Sequence, residues 1–118
     1  MKYMLLIHQG STPVPPSEEW DNLPQEEKNA VYGAYQAINE TPGVTAGVQM
    51  QPPETATTVR VADGKTLTTD GPFVEIKESI GGYLFYEAAD LDAAIELASK
   101  IPAARMGGAI EVRPLAEW

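Results

Sequence analysis

Apolar and polar positions alternate between two periods along this chain, and their order predicts the architecture. Lys2-Tyr3-Met4-Leu5-Leu6-Ile7-His8 is a short apolar run stopped at Gly10. Its lack of alternation predicts a central strand covered on both faces. From Gln25 to Glu40 the period changes, and Val31, Ala34, Tyr35 and Ile38 fall on one stripe of an amphipathic helix. Asn22 and Pro24 mark its start and Pro42-Gly43 its end. Val44–Met50 reads as a short strand. Thr57–Val61 and Thr66–Thr69 are β-rich runs joined through Ala62-Asp63-Gly64-Lys65. Asp-Gly between such runs predicts a hairpin, because a tight primed turn needs positive φ. Tyr83–Tyr86 gives another strand. Asp90 caps a predicted helix over Leu91–Lys100, where Leu91, Ala94, Ile95 and Ala98 share a face before Pro102. Ala109–Leu115 alternates, with Ile110 and Val112 inward and Glu111 and Arg113 outward.

Helices set between runs of strands place the chain in the α+β class. The simplest arrangement is a ferredoxin-like βαββαβ sheet with both helices on one face and an extra β-hairpin. The other face then needs a cover, and a second copy of the chain supplies one, so a homodimer is predicted. The proline clusters Thr12–Pro16 and Gln51–Glu54 read as loops rather than linkers, which leaves residues 1–118 as a single domain.

Composition narrows the function classes. The chain has 17 Asp+Glu against 8 Lys+Arg, a net charge of −9, which repels nucleic acid and anionic membrane surfaces. With 0 cysteines there is no disulfide, thiolate metal site or thiol nucleophile. One histidine and carboxylates alone make a poor transition-metal set, so no metal is expected. No Walker-type or GxGxxG loop is present, so no cofactor is expected either. No apolar run approaches the ~20 residues of a membrane span. The N-terminus lacks the pattern of a signal peptide, and a cytoplasmic protein is expected.

The densest feature is Thr69-Asp70-Gly71-Pro72-Phe73-Val74-Glu75-Ile76-Lys77-Glu78, followed by Gly81-Gly82-Tyr83. Asp70 precedes a Gly-Pro step at a strand end. It closes an Asx-turn there, or is held by that turn as a base or the orienter of one. His8, the sole histidine, sits at another strand end. It is either satisfied by a backbone carbonyl or serves as a general acid/base, for which its unperturbed pKa of ~6.5 suits it. The charges of Glu75, Lys77 and Glu78 read as a solvated face, and the two Gly-Gly steps as a bulge or a close backbone approach.

The string Asp70–Glu78 resembles the signature of the YCII-related family, specifically its DGPF branch, with Val74 and Ile76 as variants. Lys2–Ile7, Thr58-Val59-Arg60, Gly81-Gly82-Tyr83, Asp90–Ala94 and Glu111–Pro114 extend the likeness over nearly the whole chain. The resemblance implies a ferredoxin-like fold assembled as a dimeric α/β barrel, with a cleft between helix and sheet. It also implies a histidine–aspartate pair in smaller relatives, whose histidine lies in the first helix. Here residues 9–118 contain no histidine, so that assignment does not transfer. Two functional readings follow. One is a small acid/base enzyme, lyase- or hydrolase-like, acting on a small organic acid. His8 and Asp70 would be its catalytic pair, and Arg60, Phe73, Lys77 and Tyr83 its ligand-binding residues. The other is a non-catalytic ligand-binding or protein-interaction module; many DGPF members resemble neighbours of extracytoplasmic-function sigma factor genes.

Overall fold

The computed structural model describes residues 1–71 and 80–117. Its elements run β1 (Lys2–His8), α1 (Glu18–Asp21), α2 (Gln25–Asn39), β2 (Val44–Gln49), β3 (Thr57–Ala62), β4 (Lys65–Asp70), β5 (Ile80–Glu87), α3 (Leu91–Ser99) and β6 (Ala109–Pro114), with 3-10 turns at Pro53–Thr55 and Pro102–Ala104. A four-stranded sheet has the order β2-β5-β1-β6, every neighbouring pair antiparallel, and β3-β4 form a separate two-stranded sheet. This mixed α+β arrangement is compatible with a ferredoxin-like fold.

The first strand is central by hydrogen bonding, between β5 and β6, but its two faces differ. Tyr3, Leu5 and Ile7 are buried while Met4, Leu6 and His8 are only half-buried. Two-sided burial was expected, yet the helices cover one face alone. On that face Leu5, Leu84, Ile38 and Ile101 are the largest fully buried side chains, joined by Ala94, Leu97 and Ala98 of α3. Each such large aliphatic side chain contributes about 1.5–3 kcal/mol by leaving water. No polar or charged residue is fully buried among the described residues.

Local signals account for the element ends. Pro24 stands at the N-terminus of α2, where its missing N–H costs nothing. The carboxylate of Asp90 accepts from Ala93 N at 2.9 Å and starts α3. The buried stripe of α3 is Ala94, Leu97 and Ala98, whereas Leu91 and Ile95 are about half exposed. The helix thus turns Ala94, Leu97 and Ala98 to the core and Leu91 and Ile95 away from it. Asp63 and Gly64 both have positive φ, 52° and 74°, as a type I′ turn requires. The hairpin they close is exposed at every position except Thr58.

The short helix α1 carries no periodicity, and Glu18 and Glu19 fall in its first turn. The Ser17 hydroxyl accepts from Trp20 N at 3.1 Å, and the helix tucks the Trp20 ring into the interior. That ring meets Tyr32 of α2 edge-on, with centroids 5.5 Å apart.

Candidate functional site

Between α2 and the helix-covered face of the sheet lies a cleft of about 290 Å3. Ile7 and Leu84 form its floor, Val31, Tyr32 and Tyr35 of α2 one wall, and residues 12–15 with Trp20 its roof. The roof is held by a close crossing of two chain segments. Ser11 N donates to Gly107 O at 3.3 Å, and Thr12 N donates to Gln9 O at 2.8 Å. A Cβ at Gly108 would collide with the His8 carbonyl oxygen and stand 2.8 Å from Gln9 O. The Gly107-Gly108 step is therefore a site of close backbone approach, as is Gly82 against Val48 O.

Two features give the cleft its chemistry. Gln9 and Thr12 line it, and Gln9 Oε1 and Thr12 Oγ1 are buried with no hydrogen-bond partner among the described residues. A buried polar atom left unpaired costs about 1–3 kcal/mol, and native proteins keep few of them. The described lining also contains no Asp, Glu, Lys, Arg or His. The one titratable group with a shift there is Tyr35, whose hydroxyl is pushed up by burial and so stays neutral at physiological pH.

His8 faces the other way. Strand alternation sends Ile7 into the cleft and the imidazole onto the opposite face of the sheet, open in that no described helix covers it. His8 Nε2 stands 3.2 Å from Glu111 Oε1. The β1–β6 register pairs Leu6 with Glu111 and His8 with Ala109, which makes His8 and Glu111 diagonal neighbours. Glu111 also accepts from Arg113 Nη2. The guanidinium first and the imidazole second hold the Glu111 carboxyl below the usual carboxylate range. On the same face, across β1 on β5, Tyr83 and Phe85 stack edge-on at 5.9 Å, with the Lys2 ammonium 5.8 Å from the Phe85 centroid.

Of the residues singled out in the sequence, His8 and Tyr83 share the open face of the four-stranded sheet. Asp70 is exposed at the end of β4, opposite Thr57 in the hairpin, and Arg60 is exposed on β3 opposite Leu67. No hydrogen bond joins His8 to Asp70 among the described residues. Phe73 and Lys77, with the rest of Pro72–Ser79, lie outside the described residues. Sequence reasoning did not single out Gln9, Thr12 or Trp20, which sit in a loop and in a four-residue helix with no periodic signal. Glu111 did carry one, since its outward phase matches that of His8 once the first and last strands pair. Among the described residues no group of three or more His, Cys, Asp or Glu could hold a metal ion, and no helix is long and apolar enough to cross a membrane.

The family model of the YCII-related domain matches residues 1–118, and the chain belongs to that family. It is also 34% identical over 101 residues to an uncharacterized protein of Rhizobium meliloti (strain 1021), a match covering 85% of this chain and 79% of the relative.

Proposed function

We propose that this YCII-related protein binds a small organic molecule in the cleft between α2 and the sheet. The observation that carries this reading is the cleft itself: aromatic and aliphatic walls, a roof fixed by the Gly107-Gly108 crossing, and a volume just below the 300–1,000 Å3 usual for ligand pockets. A ligand-observed NMR screen of single-ring and bicyclic fragments tests it, run beside the Val31→Phe variant, which fills the cleft from α2. Fragments that bind the native protein and lose binding in the variant are expected. A screen without hits, or with hits indifferent to Val31→Phe, overturns the reading.

Acid/base catalysis at His8 is the second reading, and the 3.2 Å approach of Glu111 favours it. Glu111 would then take the orienting role that the sequence offered to Asp70, fixing the tautomer through Nε2. Any turnover found for the protein would fall by orders of magnitude in both His8→Gln and Glu111→Gln; full activity in the first removes His8 from the chemistry, and full activity in the second removes Glu111 as its orienter. The half-buried apolar side chains Met4, Leu6, Tyr83 and Phe85 on this face support a homodimer in which a second copy covers it. Sedimentation of Leu6→Glu as a monomer and of the native chain as a dimer is the expected pair of results; a monomeric native chain refutes it. The run Asp70–Glu78 supports placement in the DGPF branch of the family.

A further inference from the structure

We infer that the ligand of this cleft is an uncharged aromatic molecule carrying a hydrogen-bond donor, an N–H or O–H on or beside the ring. The inference rests on the cleft being a ligand site, as proposed above, and three observations narrow the occupant. Gln9 Oε1 and Thr12 Oγ1 are buried in the wall without a partner among the described residues. A carboxamide oxygen only accepts, so what completes it is a donor. Thr12 Oγ1 sits in the same turn, whose Thr12 N donates to Gln9 O at 2.8 Å, so both oxygens belong to one short stretch of the wall.

The second observation is electrostatic. Among the described residues no charged side chain lines the cleft, so a carboxylate or ammonium entering it would give up hydration with no counter-charge from them. The sequence reading set Arg60 or Lys77 against the carboxylate of an organic acid; Arg60 is exposed on the hairpin and does not line the cleft, and Lys77 lies outside the described residues. The third is shape. An apolar cavity of about 150 Å3 holds benzene, so a cleft of about 290 Å3 takes one ring with a substituent or two fused rings. Trp20, Tyr32 and Tyr35 offer ring faces and edges for it, in the offset or edge-on geometry such contacts prefer.

Amide NMR titrations of the full chain with three probes separate these statements: indole, 1-methylindole and indole-3-carboxylate. Indole and 1-methylindole share the ring system and differ in whether its nitrogen carries a hydrogen or a methyl group, and the third probe adds a charged carboxylate at C3. Indole is expected to bind about fivefold to tenfold more tightly than 1-methylindole, the worth of one ordinary hydrogen bond. Indole-3-carboxylate should bind at least about tenfold more weakly than indole, given the cost of an unpaired charge. In Gln9→Met the preference for indole over its methylated form should vanish while 1-methylindole still binds. Thr12→Val serves as the second variant should Gln9→Met not fold. Equal binding of indole and 1-methylindole by the native protein, or tightest binding of the carboxylate, overturns the inference and leaves the cleft a ligand site. Absence of binding by all three, with no other fragment shifting cleft amides, overturns the cleft reading itself.

Discussion

One substitution, glycine to alanine, should move the stability of this protein in opposite directions at two positions. Gly33 lies in the middle of α2, and a Cβ there meets nothing within 4 Å. Alanine is favoured over glycine in a helix interior by about 0.8–1.0 kcal/mol, mostly through lost freedom of the unfolded chain. Gly108 has the reverse environment. Its added Cβ would press on the His8 carbonyl, stand 2.8 Å from Gln9 O and touch Thr12 Oγ1 at 3.0 Å. The first two obstacles are backbone, in a strand end that pairs with β6, so the crossing has to open. Overpacking of this kind costs about 1–3 kcal/mol. At an unfolding entropy of about 2.1 cal/mol/K per residue, a chain this long shifts by about 4 °C per kcal/mol. Gly33→Ala should therefore melt about 3–4 °C higher and Gly108→Ala about 4–12 °C lower, by calorimetry at one protein concentration. The crossing also sets the cleft roof, so Gly108→Ala should weaken fragment binding while Gly33→Ala leaves it unchanged. A Gly108→Ala variant melting at or above the native protein refutes the account of the roof.

Further tests address the cap, the core and the two polar groups. Asp90→Ala should cost about 1 kcal/mol by removing the acceptor of Ala93 N, with Asp90→Asn near native in a denaturant titration. Leu84→Ala should cost about 2–5 kcal/mol, towards the lower end because its void opens into the cleft, where solvent or ligand can fill it. Thr12→Val should leave the free protein as stable as the native one or about 1 kcal/mol more stable, since it deletes an unpaired buried oxygen; a clear loss would mean the hydroxyl is satisfied. The depressed carboxyl of Glu111 contributes stability above the pKa it has in the unfolded chain, and that contribution disappears as pH falls through its lower folded value. Arg113→Met should raise the Glu111 titration point seen by side-chain carboxyl NMR, and an unmoved point refutes the Arg113 cause.

Much of the fold was legible because the information was local. The run from Lys2 to His8, the stripe from Val31 to Ile38, the Asp63-Gly64 turn and the alternation of Ile110 and Val112 each state an element within a few residues. Two elements differ from expectation in extent or phase. The strand expected over Tyr83–Tyr86 begins at Ile80 and takes in Gly81-Gly82, whose reading as a close approach holds: Gly82 lies against Val48 O and Gly81 against the Gln9 side chain. In α3 the expected stripe of Leu91, Ala94, Ile95 and Ala98 is rotated by part of a turn: Ala94, Leu97 and Ala98 are buried, and Leu91 and Ile95 are about half exposed. The candidate site was less legible, since what singles out Gln9 and Thr12 is a side-chain oxygen on each that is buried without a partner among the described residues. Burial of that kind arises from the fold of a glycine-bearing loop and leaves no period in the sequence.

The sheet keeps the two functional readings apart. Ile7 and His8 are adjacent in sequence, but alternation assigns one to the cleft and the other to the open face, and no side-chain rotation exchanges them. A catalytic His8 therefore acts on something presented at the open face beside Glu111, Tyr83 and Phe85, and a second copy covering that face would control access to it. Molecules held by Gln9 and Thr12 sit on the other side of the backbone, beyond hydrogen-bond reach of the imidazole. The two sides share one backbone contact: the His8 carbonyl packs on Gly108, at the crossing that holds the roof over the cleft. Occupying the cleft and altering the open face are thus distinct events that share a single backbone crossing, and effects of one on the other should run through residues 8–12 and 107–108.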